Sequence, residues 1–234
     1  MPSQIGSRMA FQNAANAVKR AGLNPGNAVL SQSYLRLEVN LSASTTSYKF
    51  DVLVNESVNG SIATQQKLNL QDAFVVNQLG FFIGVPSSTT DTGWRLLTYP
   101  SVGNISGTAA NFTAAQAITM YQPYMSGVMQ LNVNQRTVLT AWDLYRHLFI
   151  PPTQSSAVTG TTAAPTAPIH LNEDNLNAAD YGFYPCEPNV VLAGNKKNDL
   201  TVSFASSIGG TLPTVTRLVC IARGILAQNV TPIN

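Results

Sequence analysis

The feature of this sequence that most constrains its fold is an alternation of apolar and polar residues with a period of two. Residues 35–41 and 48–54 both carry an apolar side chain at every second position. Because successive side chains of a strand point to opposite faces, this pattern predicts half-buried strands. The six small, polar residues between the segments predict a hairpin. On its solvent face we expect cross-strand ion pairs among four charged residues, Arg36, Glu38, Lys49 and Asp51.

Further apolar segments, bounded by Gly, Pro and Ser, follow along most of the chain. Short strands separated by turn residues at roughly ten-residue spacing are typical of a β-sandwich or barrel. Glycines inside such segments, at Gly80, Gly84 and Gly224, predict a bulge or a corner. The segments lie at 74–85, 94–99, 118–121, 128–133, 138–150, 190–192, 200–204 and 215–226.

The N-terminal residues have a different period. Apolar residues from Met9 to Val18 recur at helical spacing and predict a short amphipathic helix. Ser7 is its expected N-cap, and Gly22 followed by Pro25 would end it. Two interpretations stay open. The helix packs on its own domain, or it is an arm that contacts neighbouring subunits, a genome or a membrane surface.

Charge is scarce: the chain has 24 charged residues against 34 Asn and Gln. Neutral amides are far less costly to desolvate than ions, so a surface built from them tolerates burial against another subunit. The net charge of +2 is too small to indicate a nucleic-acid partner. No secretory signal and no apolar segment long enough to span a membrane is recognisable.

Residues for catalysis are also few. His147 and His170 show no metal-ligand spacing. Cys186 and Cys220 are expected to be buried free thiols, with a single disulfide as the alternative. No nucleophile elbow or phosphate-binding loop is present. The sequence therefore predicts no catalytic residue, no metal site and no cofactor, and the chain is not expected to be an enzyme.

Two groups of residues leave a binding function open. Glu173, Asp174 and Asp180 would coordinate Ca²⁺ if they were folded together, although a solvated loop is the expectation. Trp94 and Trp142 would stack on sugars if exposed, whereas aromatic residues of sandwiches usually lie in the core. The Pro-, Ser- and Thr-rich segment at 151–168 predicts a long loop that is functional or mobile.

Four segments together resemble a known family. They are Ser33–Glu38, Asp72–Val76 with Gly80–Gly84, Arg146–His147 running into Pro151–Gln154, and Arg217–Gly224 with Gln228–Asn229. With the basic helix and the weakly charged body, they resemble viral jelly-roll coat proteins. The pattern is similar to the small major capsid proteins of icosahedral, membrane-containing bacteriophages.

The resemblance implies an all-β jelly-roll sandwich with a short N-terminal α-helix. We expect a helical arm at 1–31 and two jelly rolls in tandem, at 32–124 and 125–234; a single jelly roll over 32–234 is the alternative. In that family the helix commonly reaches inward to an internal membrane or to adjacent capsomers. The residues expected to make these membrane or subunit contacts are Arg8, Phe11, Lys19 and Arg20.

The function implied is that of a structural virion protein that self-assembles as trimers into a phage shell. Its partners would be copies of itself, other capsid proteins and the membrane surface, without sequence-specific nucleic-acid binding. The alternative function is a head-decoration, receptor-binding or carbohydrate-binding module. Deleting residues 2–21 is expected to leave a folded body that no longer assembles.

Overall fold

The computed structural model describes residues 4–42, 44–60, 62–86, 94–97, 124, 126–147, 182–207 and 216–233. Its single described α-helix, α1, covers Gln4–Arg20. The described strands are Leu23–Asn24 (β1), Val29–Asn40 (β2), Ser47–Phe50 (β3), Ala73–Pro86 (β4), Trp94–Leu97 (β5), Val128–Val133 (β6), Arg136–Asp143 (β7), Phe183–Ala193 (β8), Asn198–Ser203 (β9), Arg217–Gln228 (β10) and Thr231–Pro232 (β11). The protein is all-β with a short N-terminal helix, as predicted.

The strands form two main antiparallel sheets. The first has the order β2-β10-β4, with β8 and β5 pairing along the free side of β4. The second has the order β3-β9-β6-β7. A small third sheet pairs β1 with β11 and so joins the end of α1 to the C-terminal residues.

The strands pair as in one long hairpin that has been rolled up, with early strands paired to late ones and the innermost strands paired to each other. β2 pairs with β10, β3 with β9, β4 with β8, and β6 with β7. Eight strands of a double sheet with this connectivity form a jelly roll, and β5 adds a ninth strand beside β4. Strands before residue 124 pair with strands after residue 125, so the described strands form one jelly roll. This matches the alternative over 32–234 and not two separate sandwiches divided at 124/125.

The predicted hairpin of residues 35–41 and 48–54 is wrong. β2 lies in the first sheet and β3 in the second, so the chain crosses between the sheets instead of turning back. The buried hydroxyl of Tyr48 organises this crossing, since it donates to the carbonyl oxygen of Ser42 at 2.8 Å and accepts from the Ser42 amide at 3.1 Å. Burial raises the pKa of Tyr48.

The core lies between the two sheets. Leu35, Leu37 and Val39 of β2 point inward, as the period of two predicted, and burial alternates in the same way along β6 and β9. Phe50 of β3 and Phe81 of β4 meet edge to face across this core, with ring centroids 6.3 Å apart. Core residues of the first sheet include Leu35, Leu37, Phe74, Phe81, Leu192 and Leu218; those of the second include Tyr48, Phe50, Met129, Leu131, Leu200 and Val202.

Gly224 marks a β-bulge, as the sequence indicated. The register of β10 against β4 shifts between Arg223 and Gly224. A Cβ atom on Gly224 would lie 1.9 Å from the carbonyl oxygen of Val75, which no side chain can tolerate. The bulge therefore requires glycine, because the β4 backbone approaches too closely for any other residue.

Candidate functional site

The N-terminal helix packs on its own domain. Ala14, Ala17 and Val18 are buried against the outer face of the first sheet, where they meet Val75 and Ile225. Small side chains on both elements allow the helix to approach the sheet closely. Of the two interpretations of this helix, the described residues 4–20 match the one in which it covers its own sheet.

The helix begins and ends close to the predicted positions. It starts at Gln4, so Ser7 lies inside it and is not the N-cap. Gly22 follows with a positive φ of 81°, as expected for a residue just after a helix. The ammonium of Lys196 donates to the carbonyl oxygen of Ala21 at 2.6 Å, and the amide of Ile233 donates to that of Gly22 at 3.0 Å. The end of α1 is therefore tied to two distant segments.

The four residues expected to contact a membrane or a subunit do not form one site. Arg8, Lys19 and Arg20 are exposed, whereas Phe11 is partly buried against the helix–sheet cluster. Arg8 and Lys19 are eleven residues apart, which places them on the same side of the helix at about 16 Å along its axis. Phe11 therefore anchors the helix, and only the basic residues face outward.

The outward face of α1 has little apolar surface that could insert into the core of a bilayer. Among the described side chains of the helix, Met9 is the only large apolar one that is exposed, at 59%. The apolar face is already buried on the sheet. Within the described part of the chain, no helix combines the length and hydrophobicity needed to cross a membrane.

A groove remains open on the outer face of the first sheet beside α1. It has a volume of about 1030 Å³ and is lined by Tyr34, Phe82, Phe183 and Arg223, together with amide side chains. The guanidinium of Arg223 lies over the ring of Phe183, 3.6 Å from its centroid. An aromatic face next to amides can accept a sugar, whose C–H face packs on the ring while its hydroxyls bond to the amides.

A second groove lies between α1, the β6–β7 hairpin and β8, and has a volume of about 880 Å³. Arg20, Arg136 and Lys196 line it, and none of the described residues that line it is acidic. Valines and alanines form its apolar part, including Val138, which is 41% exposed. We refer to it below as the basic groove. Only Arg20 among its cations was part of the predicted contact set.

Charged residues on the predicted polar face of the hairpin have other partners. Glu38 is fully buried and accepts hydrogen bonds from Arg36 at 2.7 Å and from Arg217 at 3.0 Å. Lys49 pairs instead with Asp199, at 2.8 Å. The expected cross-strand pairs are therefore wrong, because β2 and β3 do not adjoin.

Asp51 and Asp72 anchor loops. The buried carboxylate of Asp51 accepts from the amides of Val58 and Asn59, at 3.2 and 3.1 Å. Asp72 accepts from the amide of Asn229, at 3.1 Å. Within the described ranges, no three His, Cys, Asp or Glu side chains come together as metal ligands would.

Trp142 and His147 form a buried pair. Trp142 is 7% exposed, and its indole N–H donates to Nε2 of His147 at 2.8 Å. Since Nε2 accepts, the proton of a neutral ring sits on Nδ1, which donates to the carbonyl oxygen of Gly182 at 2.6 Å. Burial lowers the pKa of His147 to about 4. Trp142 is consequently a core residue and not an exposed platform for sugars.

Cys186 and Cys220 are buried free thiols, as expected. Burial raises the pKa of both thiols, which keeps them protonated and unreactive. The loop at 151–168, His170, the acidic residues Glu173, Asp174 and Asp180, and the side chain of Trp94 lie outside the described part.

Comparison with known proteins adds no assignment: no protein-family model matches this chain, and no curated protein matches it.

Proposed function

We propose that this chain is a structural coat protein that self-assembles, as trimers, into an icosahedral virus shell. The observation that carries the proposal is the jelly-roll connectivity of a five-stranded and a four-stranded sheet. A fold alone hosts many functions, so two further observations are needed. The chain is poor in charge, and the described residues group no set of metal ligands. Such a molecule is suited to packing against copies of itself.

Exposed apolar side chains support the same proposal. Val58, Tyr145 and Val29 are 73%, 64% and 61% exposed, and they lie on different loops and strands. In a shell, several separate surfaces of one subunit are covered at once by different neighbours. Contact of the helix with an internal membrane would then depend on Arg8 and Lys19, at about 1 kcal/mol per basic residue near an anionic surface.

The test is the solution mass of the purified chain. Light scattering in dilute and in concentrated solution, followed by electron microscopy, should show a stable trimer or closed shells of one diameter. Glu38→Gln is the control for misfolding, because it weakens the fold without changing the exposed surface. If Glu38→Gln forms heterogeneous aggregates, their spread of sizes distinguishes misfolded protein from closed shells of one diameter. A monomer at all concentrations would overturn the proposal.

The groove beside α1 favours one alternative, a carbohydrate-binding module. Tyr34, which is 53% exposed, supplies aromatic surface there, and Gln32 and Gln78 supply amides. A glycan array with Tyr34→Ala and, as control, Tyr145→Ala separates the two functions. Glycan binding that is lost in the first variant and kept in the second would favour the module. An array without hits would argue against it.

A further inference from the structure

Strand β4 is irregular where it lines the groove beside α1. Val76 and Leu79 both belong to the core between the two sheets. The two residues between them, Asn77 and Gln78, both line the groove on the outer face, whereas consecutive residues of a regular strand point to opposite faces. In the ladders to β10 and to β8, Val76 and Gln78 have Cα partners and Asn77 has none. Asn77 is therefore a bulge residue against both neighbouring strands.

The bulge brings an unsatisfied carboxamide to the wall of the groove. The Oδ1 atom of Asn77 is buried and has no hydrogen-bond partner among the described residues. A buried acceptor without a donor is destabilising. Bulges next to functional sites serve to re-aim a side chain, at the expense of regular strand pairing. Both features of Asn77 point to a ligand that supplies the missing donor.

The other polar residues of the lining match the groups of a sugar. Tyr34 is exposed and offers a ring on which the C–H face of a sugar can pack. Gln32, Gln78 and Asn189 offer carboxamides, and Ser33 offers a hydroxyl, for bonds to sugar hydroxyls. The volume of about 1030 Å³ leaves room for more than one sugar ring.

The charges of the described lining balance each other. It contains one cation, Arg223, and one anion, Glu187. The guanidinium of Arg223 is held over the ring of Phe183, 3.6 Å from its centroid. A balanced lining suits a neutral ligand better than a strongly charged one.

We propose that the groove beside α1 binds a neutral oligosaccharide that carries acetamido groups, and that Asn77 recognises one of these groups. An acetamido group has one N–H donor and one carbonyl acceptor, the complement of the acceptor and donor of a carboxamide. Its N–H would satisfy Oδ1 of Asn77. A hydroxyl group buried there would be less suitable, because its own lone pairs would then need donors. Ala10 and Ile221, which are partly exposed, provide apolar surface for the acetamido methyl group.

This inference goes beyond the coat function and does not rest on self-assembly. It specifies the chemical class of ligand for the groove and names Asn77 as the residue that determines specificity.

Two matched trisaccharides test the inference on the full chain. Chitotriose carries an acetamido group on each ring, whereas cellotriose has the same linkage and a hydroxyl group at that position. Each is titrated into the protein by isothermal titration calorimetry. We expect saturable binding of chitotriose, about tenfold or more tighter than that of cellotriose, because only the acetamido group satisfies Asn77. Equal affinities, or no binding of either sugar, would overturn the inference.

Asn77→Leu removes the carboxamide and keeps a side chain of similar size. We expect it to weaken chitotriose binding about tenfold or more and to change cellotriose binding by less than about twofold. Tyr145→Ala, at an exposed tyrosine outside the groove lining, is the control and should bind both sugars as the wild type does. Chitotriose binding that is unchanged in Asn77→Leu would overturn the inference.

The fold of Asn77→Leu is checked by thermal unfolding. Because Oδ1 of Asn77 has no partner among the described residues, its replacement by an apolar group should not lower the stability. A marked loss of stability would show that the carboxamide serves the fold and would overturn the inference. Saturation-transfer difference NMR on the wild type requires no variant: the acetamido methyl protons should receive strong saturation. Saturation confined to the ring protons would count against recognition of the acetamido group.

An acetylated, amidated trialanine peptide tests whether an amide without a sugar is sufficient. Binding of this peptide as tightly as chitotriose would overturn the proposal of a sugar ligand. Light scattering on the same samples reports assembly separately. Wild-type shells that bind neither sugar would leave the coat function standing and remove this inference, whereas a monomer with acetamido-specific binding would do the opposite.

Discussion

The indole N–H of Trp142 donates to Nε2 of His147 over 2.8 Å, inside the core. On the opposite side of the imidazole, Nδ1 donates to the carbonyl oxygen of Gly182 at 2.6 Å. These bonds join the end of β7 to the start of β8. His147 and Gly182, the residues on either side of segment 148–181, are consequently held next to each other.

This pair makes stability depend on pH. The unfolded chain protonates His147 below a pKa of about 6.5, whereas the folded chain does so only below about 4. The stability due to neutral His147 is therefore complete above pH 6.5 and is lost as the pH falls from 6.5 to 4. We expect a loss of about 3 kcal/mol. Urea unfolding between pH 7 and 4 measures it.

The control for this measurement is a variant in which position 147 cannot be protonated. His147→Asn keeps a donor for Gly182 but cannot be protonated, so its stability should depend less steeply on pH. Identical slopes in the wild type and in His147→Asn would contradict the assignment of the neutral ring.

Glu38 is expected to be one of the most sensitive charged positions. Glu38→Gln removes the carboxylate and leaves Arg36 and Arg217 close together and largely buried, with side chains 21% and 15% exposed. Breaking a buried ion pair by removing one partner costs about 3 kcal/mol or more. Asp199→Asn, which breaks partly exposed pairs with Lys49 and Lys197, should cost at most about 1 kcal/mol. Similar costs in chemical denaturation would show that Glu38 is solvated.

Glu38 also shows where the sequence stops being informative. The period of two located β2 and assigned Leu35, Leu37 and Val39 to the core, which the structure confirms. The pattern gives no information on which strand lies alongside. β2 pairs with β10, whose Arg217 is 179 residues from Glu38, so a polar residue on the outer face becomes buried by partners that local spacing cannot reveal.

The same limit applies to the surface. The sequence predicted α1 and its basic end, because helical spacing and terminal residues are local features. The basic groove brings Arg20 together with Arg136 and Lys196, from three distant parts of the chain. The fold brings these three residues together, and no local motif in the sequence predicts the cluster.

Removing α1 is expected to damage the body of the protein. The helix covers Val75 and Ile225 on the outer face of the first sheet, so deletion of residues 2–21 would expose an apolar cluster. We therefore expect the truncated chain to aggregate, in contrast to the soluble body that the sequence predicted. Val18→Asp should destabilise the protein by about 3 kcal/mol, and Arg20→Asp by less than about 1. Equal effects in thermal unfolding would mean that the helix is detached.

Both cysteines are expected to be unreactive toward thiol reagents in the folded protein. Cys186 and Cys220 are fully buried, and burial raises the pKa of each thiol. A thiol reagent added at pH 8 should label neither residue within minutes, and both after unfolding in guanidinium chloride. Absence of two reactive thiols in the unfolded, unreduced chain would indicate a disulfide instead.

The bulge at Gly224 provides the strictest test of the packing of the first sheet. Gly224→Ala would drive a Cβ atom to 1.9 Å from the carbonyl oxygen of Val75, and backbone cannot move aside as a flexible side chain can. We expect a loss of about 3 kcal/mol in chemical denaturation, since β10 must shift away from β4. Gly26→Ala is the control, because its nearest neighbour is the mobile side-chain oxygen of Asn24 at 3.1 Å, and it should cost less than about 1 kcal/mol. If Gly224→Ala were as stable as Gly26→Ala, β10 and β4 would lie further apart at the bulge than the structure has them.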